Sequence, residues 1–390
     1  MTELRVLIFS ATFGAGHLRS AQAIIEAIRI KEPSAEITHV DCGECLGKTV
    51  NTLLKNSYIG MIKHSPGLWG GIYGGMAKIA PDSLIQRFLN KLGRAEYQKI
   101  IESSRPHLII CTYPTVAGVL SELRLNHQLH VPVITVVTDY VVHNQWIHRG
   151  VDMYIVGSRQ VSEGFVAKGI RPERIKVTGI PVNLSFERQV DLNEVKARLG
   201  LSPDLPTLLI MGGASGVLDS LKEQCRIFAN ADYPLQSVVV CGSDEKLYKS
   251  LDEIVASARN PVLRFGFVNN VEELMTSADL MITKAGGLTV SEALTKELPM
   301  VIFKPIPGQE KANADFLSEI GAARVAHTQE ELADIVQSLF AYPAELAHMQ
   351  EAAAHAVPGH SAERAVELML NLLNENQDAE LNNAQAEKIG

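Results

Sequence analysis

Long apolar runs are missing from this sequence. No stretch of its 390 residues approaches the ~18 consecutive apolar residues that a membrane-spanning helix needs. The N-terminus carries Glu3 and shows no small-residue cleavage site behind an apolar core, so it does not read as a signal peptide. A protein made and kept in the cytoplasm is the expectation. Cysteine is scarce: Cys42, Cys45, Cys111, Cys225 and Cys241 are all there is. An odd number fits no complete disulfide framework and suits a reducing compartment. Cys42-Gly-Glu-Cys45 has redox or zinc spacing, but no second cysteine pair completes a zinc site and the flanks are not thioredoxin-like, which favours idle thiols. Net positive charge is also absent: the balance is −8 and the pI about 5.9, which argues against nucleic acid as a partner. No Asp-x-Asp occurs, so no metal bridging a diphosphate is indicated. The N-terminal glycine turn lacks the full dinucleotide fingerprint, which weighs against a redox cofactor. No cofactor is expected.

What is present is an ordinary globular composition, 46% hydrophobic and 21% charged, long enough for two or three domains at about 150 residues each. The apolar runs are short and alternate with helical spacing. Arg5 to Ser10 reads as a buried strand, Ala11 to His17 as a glycine turn containing Gly14 and Gly16, and Ser20 to Ile30 as a helix. Strands follow at 37–41, 108–112, 133–137, 153–156 and 175–178. At the carboxyl end of the fourth run stand Thr138, Asp139 and Tyr140, then His143, Trp146 and His148. Open α/β sheets hold their ligands at such strand ends. Residues 179–191 read as a linker. A second series opens with strand 208–211 and the glycine loop Gly212, Gly213, Ala214, Ser215, Gly216. The fold class is therefore α/β, with two Rossmann-like halves: 1–180, 181–375, and a polar tail at 376–390 that reads as disordered.

Residues 48–95 interrupt the rhythm. Seven basic residues, among them Lys55, Lys63 and Lys78, stand against the single acid Asp82, a local +6 in a chain of −8. Trp69 and Tyr73 lie among glycines that read as turns (GLWGGIYGG). A basic, aromatic-bearing segment in an acidic protein fits a patch lying on an anionic membrane. The competing reading is a solvated helical insertion with a buried aromatic face.

The richest stretch is Asp279 to Asn313. It reads as strand, the glycine turn Gly286-Gly287, a helix from about Leu288 to Glu297, and a second strand from Met300 to Phe303, one βαβ unit. The turn brings backbone close to a ligand and aims free N–H groups at an anion. Thr289 and Ser291 add hydroxyls, and the Glu292 carboxylate suits two neighbouring hydroxyls, as on a ribose. The loop 305–313 carries Gln309, Glu310 and Asn313, side chains that suit the dense hydroxyl array of a sugar. On the glycine pair alone, an ordinary structural turn is an equal reading.

The string AGGLTVSEAL followed by PIPGQEKAN resembles the nucleotide-sugar site of glycosyltransferases that act on diacylglycerol. These are the processive diacylglycerol glucosyltransferases of Gram-positive bacteria and the plant monogalactosyldiacylglycerol synthases, relatives of the lipid II N-acetylglucosaminyltransferase. GAGH at 14–17, VTDYVVHNQWIH at 137–148, VTGIPV at 177–182, MGGASGVL at 211–218 and GFVNN at 266–270 extend the resemblance in register over nearly the whole chain. It implies a GT-B-type architecture of two facing Rossmann-like domains with the active site in the cleft. The first would bind diacylglycerol and an anionic membrane surface, peripherally at the cytoplasmic side. The second would bind a UDP-hexose, with glucose favoured over galactose. Phe267 and Val268 match the segment that packs on uracil, Gly212 to Gly216 and Gly287, Leu288 and Thr289 the diphosphate loops, and Glu292 the ribose ligand. Gln309, Glu310 and Asn313 match the sugar-reading loop. Many relatives carry Arg where this chain has Asn183. In an inverting displacement by the 3-hydroxyl of diacylglycerol, His17 is the candidate base. Asp139 is the second candidate, as base or as the group that orients His17. Gly16, Tyr140, His143 and Trp146 are the candidate acceptor residues. A catalytically silent UDP-sugar sensor and an NAD-dependent oxidoreductase are the alternatives of other classes.

Overall fold

A computed structural model describes residues 3–12, 15–45, 66–79, 83, 86, 93–212 and 218–386. The chain divides into two compact units. One comprises Met1–Asn56, Gly74–Leu184 and Pro358–Gly390, the other Ser57–Tyr73 and Ser185–Val357.

Each unit is built on one parallel six-stranded sheet, as the short, continuously apolar runs require when a strand is covered on both faces. In the first unit β1 (Arg5–Ser10), β2 (Glu36–Asp41), β3 (Leu108–Cys111), β4 (Val133–Val136), β5 (Met153–Val156) and β6 (Ile175–Val177) lie in the order β2-β1-β3-β4-β5-β6. In the second, β7 (Thr207–Met211), β8 (Gln236–Val240), β9 (Val262–Phe265), β10 (Leu280–Thr283), β11 (Met300–Phe303) and β12 (Ala323–Ala326) lie in the order β12-β11-β10-β7-β8-β9. Val6, Ile8, Ile110 and Ile134 line one face of the first sheet, and Leu7, Phe9 and Ile109 the other, all essentially inaccessible. Each such side chain contributes about 1.5–3 kcal/mol by leaving water. The strand order reverses between β1 and β3 in one sheet and between β7 and β10 in the other. Those are the switch points at which a doubly wound sheet opens a crevice beyond its strand ends.

Three features differ from the sequence reading. The last helix, Ser361–Ala386, returns to the first unit. It packs on the helix Ala15–Lys31, adding Ala362, Ala365, Val366 and Met369 to that core, with Lys31 paired to Glu367 at 3.3 Å. The second unit thus ends at Val357 and not at 375, and much of the polar tail is helical backbone, through Ala386. The glycine-rich string GLWGGIYGG is not a set of turns but lies within the helix Pro66–Lys78. Each of its five glycines costs about 1 kcal/mol of helix propensity. Packing supplies a reason for one of them: a Cβ at Gly70 would stand 2.7 Å from the Pro307 Cβ. Finally, 305–313 is not wholly a loop, because a helix starts at Gln309 and runs to Glu319.

Candidate active site

In the first unit the candidate groups gather beyond the carboxyl ends of β1, β3 and β4. His17 sits in the first turn of the helix that follows β1. Its Nδ1 shares a 2.9 Å hydrogen bond with the Thr138 hydroxyl, just past β4. The Thr112 hydroxyl, just past β3, donates to the His17 carbonyl at 3.0 Å. Tyr113 and Trp146 flank the imidazole, with ring centroids 5.3 and 6.2 Å away. Burial among these groups lowers the His17 pKa to about 4, against a smaller opposing contribution from the Thr112 main chain. The ring is therefore neutral near pH 7.

Asp139 is buried, and its Oδ2 accepts from the Trp146 indole N–H at 3.4 Å. Orientation of the imidazole falls to the neighbouring Thr138, a residue that sequence reading set at the strand end without giving it this role. The two residues are 121 positions apart, a separation at which no local pattern signals contact. Tyr140, His143 and Trp146 are all buried. Tyr140 packs against Gly157, where a Cβ would come within 2.9 Å of its ring. His143 Nδ1 accepts from the Gln145 N–H at 3.2 Å and so caps the short helix Asn144–Trp146. His148 is braced between the Gln145 carbonyl and the Tyr154 hydroxyl. Burial holds its pKa down at about 4 as well. Of these side chains Trp146 is the one that flanks His17. Gly16 lies beside it, half-buried, at the helix start.

In the second unit the groups gather past β7, β9, β10 and β11. The helix Gly287–Thr295 begins directly after β10 with Gly286 as its N-cap, and no side chain caps it. A Cβ at Gly286 would meet nothing within 4 Å. The first N–H groups, at Gly287, Leu288 and Thr289, thus combine unmet donor capacity with the positive end of the helix dipole. The Thr289 side chain is partly exposed, whereas Ser291 turns inward and donates to the Gly287 carbonyl at 2.7 Å. Glu292 is buried one turn on. Asn313 is fully buried and donates to the Ala285 carbonyl at 3.0 Å, so it ties the helix Gln309–Glu319 to the glycine turn. Gln309 and Glu310 lie in that helix's first turn, half-buried. Glu310 accepts from the Ile306 N–H at 3.0 Å. Burial pushes its carboxyl above the usual range, partly offset by that N–H and by the charge of Lys284. Past β9, Phe267 is 66% exposed and Val268 is half-buried, so an aromatic face is presented to solvent without a packing reason.

Gly212 ends β7 and is exposed, whereas Gly213, Ser215 and Gly216 lie outside the described residues. So do Lys55 and Lys63. Trp69, Tyr73 and Lys78 are placed on the helix Pro66–Lys78. Asn183, noted above as a departure from the family pattern, donates its amide to Glu26 at 2.9 Å within the first unit. Among the described residues no group of three His, Cys, Asp or Glu side chains is placed to hold a metal ion, and no helix is long and apolar enough to cross a membrane.

Two family models divide the chain as its sheets do. Residues 17–182 match monogalactosyldiacylglycerol synthase, and residues 207–369 match the glycosyltransferase family 28 C-terminal domain. A processive diacylglycerol β-glucosyltransferase of Bacillus licheniformis is 32% identical over 350 residues, 90% of each chain. Its namesake from Staphylococcus saprophyticus is 31% identical over 371 residues, 95% of this chain and 93% of that one. Among solved structures, Acinetobacter baumannii MurG superposes with a TM-score of 0.62 at 16% identity, over 94% of this chain and 99% of that one. A Polygonum tinctorium UDP-glucosyltransferase gives 0.62 at 13% identity, over 96% and 99%. At those identities the superpositions show the fold, the GT-B glycosyltransferase architecture.

Proposed function

The chain belongs to the processive diacylglycerol β-glucosyltransferase family, and on that premise we propose that it transfers glucose from UDP-glucose to the 3-hydroxyl of 1,2-diacylglycerol. The kinship carries the reading, because it runs through both units and so through both halves of the reaction. The acceptor oxygen attacks the anomeric carbon, the bond from that carbon to the diphosphate oxygen breaks, and UDP leaves. One displacement turns the α-linked donor into a β-glycoside. The hydroxyl proton goes to His17. In the tautomer whose Nδ1–H donates to Thr138, Nε2 is the accepting nitrogen, and the neutral ring near pH 7 is free to take a proton. The Thr112 main chain, which favours the protonated ring, then steadies the imidazolium. Asp139 is the alternative base.

In the second unit the uncapped start of the helix Gly287–Thr295 meets the diphosphate, as helix N-termini do. Gly212, Gly213, Ser215 and Gly216 complete that cradle. Glu292 takes the ribose, Phe267 and Val268 the uracil, and Gln309 and Glu310 the hexose. Asn313 acts by fixing the helix that carries them. No cofactor enters this scheme. The decisive assay is UDP release from UDP-glucose on addition of diacylglycerol, with mass spectrometry of the lipid. Binding of UDP-glucose without turnover would indicate a sensor, and preference for UDP-galactose would indicate a galactosyltransferase.

The acceptor resides in a membrane, and the reading includes peripheral attachment at the cytoplasmic face through 48–95. Support comes from the helix Pro66–Lys78, where Leu68, Ile72 and Met76 are exposed at intervals of four, one apolar stripe. Each Lys or Arg near an anionic leaflet adds about 1 kcal/mol. Changing Lys55, Lys63 and Lys78 together to Glu should release the protein from anionic vesicles in co-sedimentation while UDP binding persists. Undiminished pelleting would assign attachment to another surface.

A further inference from the structure

We infer that the Lys284 ammonium is the cation that meets the diphosphate of the donor, shared with the Glu310 carboxylate. This rests on the donor reading above and adds to it a residue that the glycine turn and its helix do not supply. The reason is a charge inventory. The groups assigned to the nucleotide sugar include two acids, Glu292 and Glu310. A diphosphate brings further negative charge into the same unit. An N-terminal helix dipole is equivalent to only about half a unit charge, so a full cation is needed nearby.

Several basic side chains of this unit already have partners. Lys311 is paired with Asp315 at 2.6 Å, Arg324 with Glu345 at 2.7 Å, and Arg264 with Asp252. Lys296 donates to the Arg188 carbonyl at 3.1 Å. Lys304, at the end of β11, has its Nζ over the Phe303 ring at 5.1 Å. Lys284 is distinguished by where it stands. It follows β10 at the switch point of the sheet, two residues before the Gly286 N-cap. Its carbonyl accepts from the Gly286 N–H at 2.9 Å, which folds the backbone into the turn. Its side chain is half-buried, and among the described residues no carboxylate lies within ion-pair distance of the ammonium. The interaction it does have is longer-ranged, with Glu310 in the first turn of the next helix. A half-buried, uncommitted ammonium beside a glycine turn, whose charge is felt at Glu310, has the chemistry to hold a phosphate oxygen and to help keep Glu310 ionised. Glu310 in its ionised form is an acceptor for sugar hydroxyls.

The test compares UDP with uridine, which lacks the phosphates. UDP is titrated by calorimetry and uridine by ligand-observed NMR, into the full chain and its Lys284→Gln and Lys284→Arg variants, with thermal melting to verify folding. Lys284→Gln should weaken UDP by roughly ten- to a hundredfold, the range of a lost charge-assisted hydrogen bond. Uridine affinity should stay within about twofold, and Lys284→Arg should recover most of the loss. A folded Lys284→Gln that binds UDP as the parent does overturns the inference, as does an equal fall for UDP and uridine. A parent chain that fails to bind UDP overturns the donor assignment itself and is thereby distinguished from failure of Lys284 alone.

Discussion

The two units use one architecture, a parallel sheet with a switch point, and place opposite chemistry at the strand ends. Past β1, β3 and β4 stand imidazoles and aromatic rings: a half-buried His17 among the buried His148, Trp146 and Tyr140. Past β7, β9, β10 and β11 stand glycines, carboxylates, a lysine and an exposed phenylalanine. Desolvation explains the first arrangement, because a buried imidazole stays neutral well below pH 7. Backbone access explains the second, because an anion needs free N–H groups, and only residues without bulk leave them open. Under the proposed function, proton handling is assigned to one unit and donor holding to the other. Mutations in each should therefore produce different signatures.

The largest expected effect tests the first unit. His17→Ala should lower kcat by about 10²–10⁴ while calorimetric UDP affinity stays unchanged. Near-normal turnover in the folded variant would pass the role to Asp139.

Acid should distinguish the units next. Burial pushes the His17 and His148 imidazoles down to about 4, from 6.5 for the free side chain. A depressed folded pKa means the neutral form is native, so its stability is fully present above about pH 6.5 and is lost as pH falls towards 4. The shift corresponds to about 3 kcal/mol for each ring at most. Denaturant unfolding followed by Trp146 fluorescence in a Trp69→Phe background should show midpoints falling steadily from pH 7 to pH 4. A flat profile over that window would refute the desolvated-imidazole account.

Glu292→Ala addresses the second unit and should weaken UDP roughly ten- to a hundredfold, about 1.5–3 kcal/mol for a charged hydrogen bond. Turnover at saturating donor should change far less than in His17→Ala. An unchanged dissociation constant in a folded variant would remove Glu292 from the site. The smallest effect belongs to Phe267→Ala. Because the ring is exposed, melting should shift within the range of about ±0.5 kcal/mol typical of surface changes, yet UDP should weaken by about 0.5–1.5 kcal/mol if uracil stacks there. Competition between UDP and inorganic diphosphate separates the two, since only the nucleotide should be affected.

Much of this was legible in the sequence, and for a physical reason. Strands buried on both faces must be continuous apolar runs, so Arg5–Ser10 and Met300–Phe303 marked themselves. The turn at Gly286-Gly287 and the candidate His17 were read from glycines beside strand ends and from the resemblance. What stayed hidden depends on contacts distant in the chain. Nothing near Gly70 signals that Pro307 will pack on it, so low helix propensity suggested turns where there is a helix. The amphipathic pattern of Ser361–Ala386 shows that one face is buried, but not on which sheet. Asn313 looked like a sugar ligand, yet it is sealed against the Ala285 carbonyl. Thr138 became the partner of His17 only when β1 and β4 were brought into one sheet.

The central claim of the proposed function is a single displacement that inverts the anomeric carbon. Proton NMR of the glycolipid formed from α-linked UDP-glucose and diacylglycerol tests it most directly. The account predicts a β-anomeric signal with the large coupling of a diaxial arrangement, from wild type and, more slowly, from His17→Ala. An α-anomeric product would contradict it, because retention needs a second displacement for which neither unit has been assigned a residue.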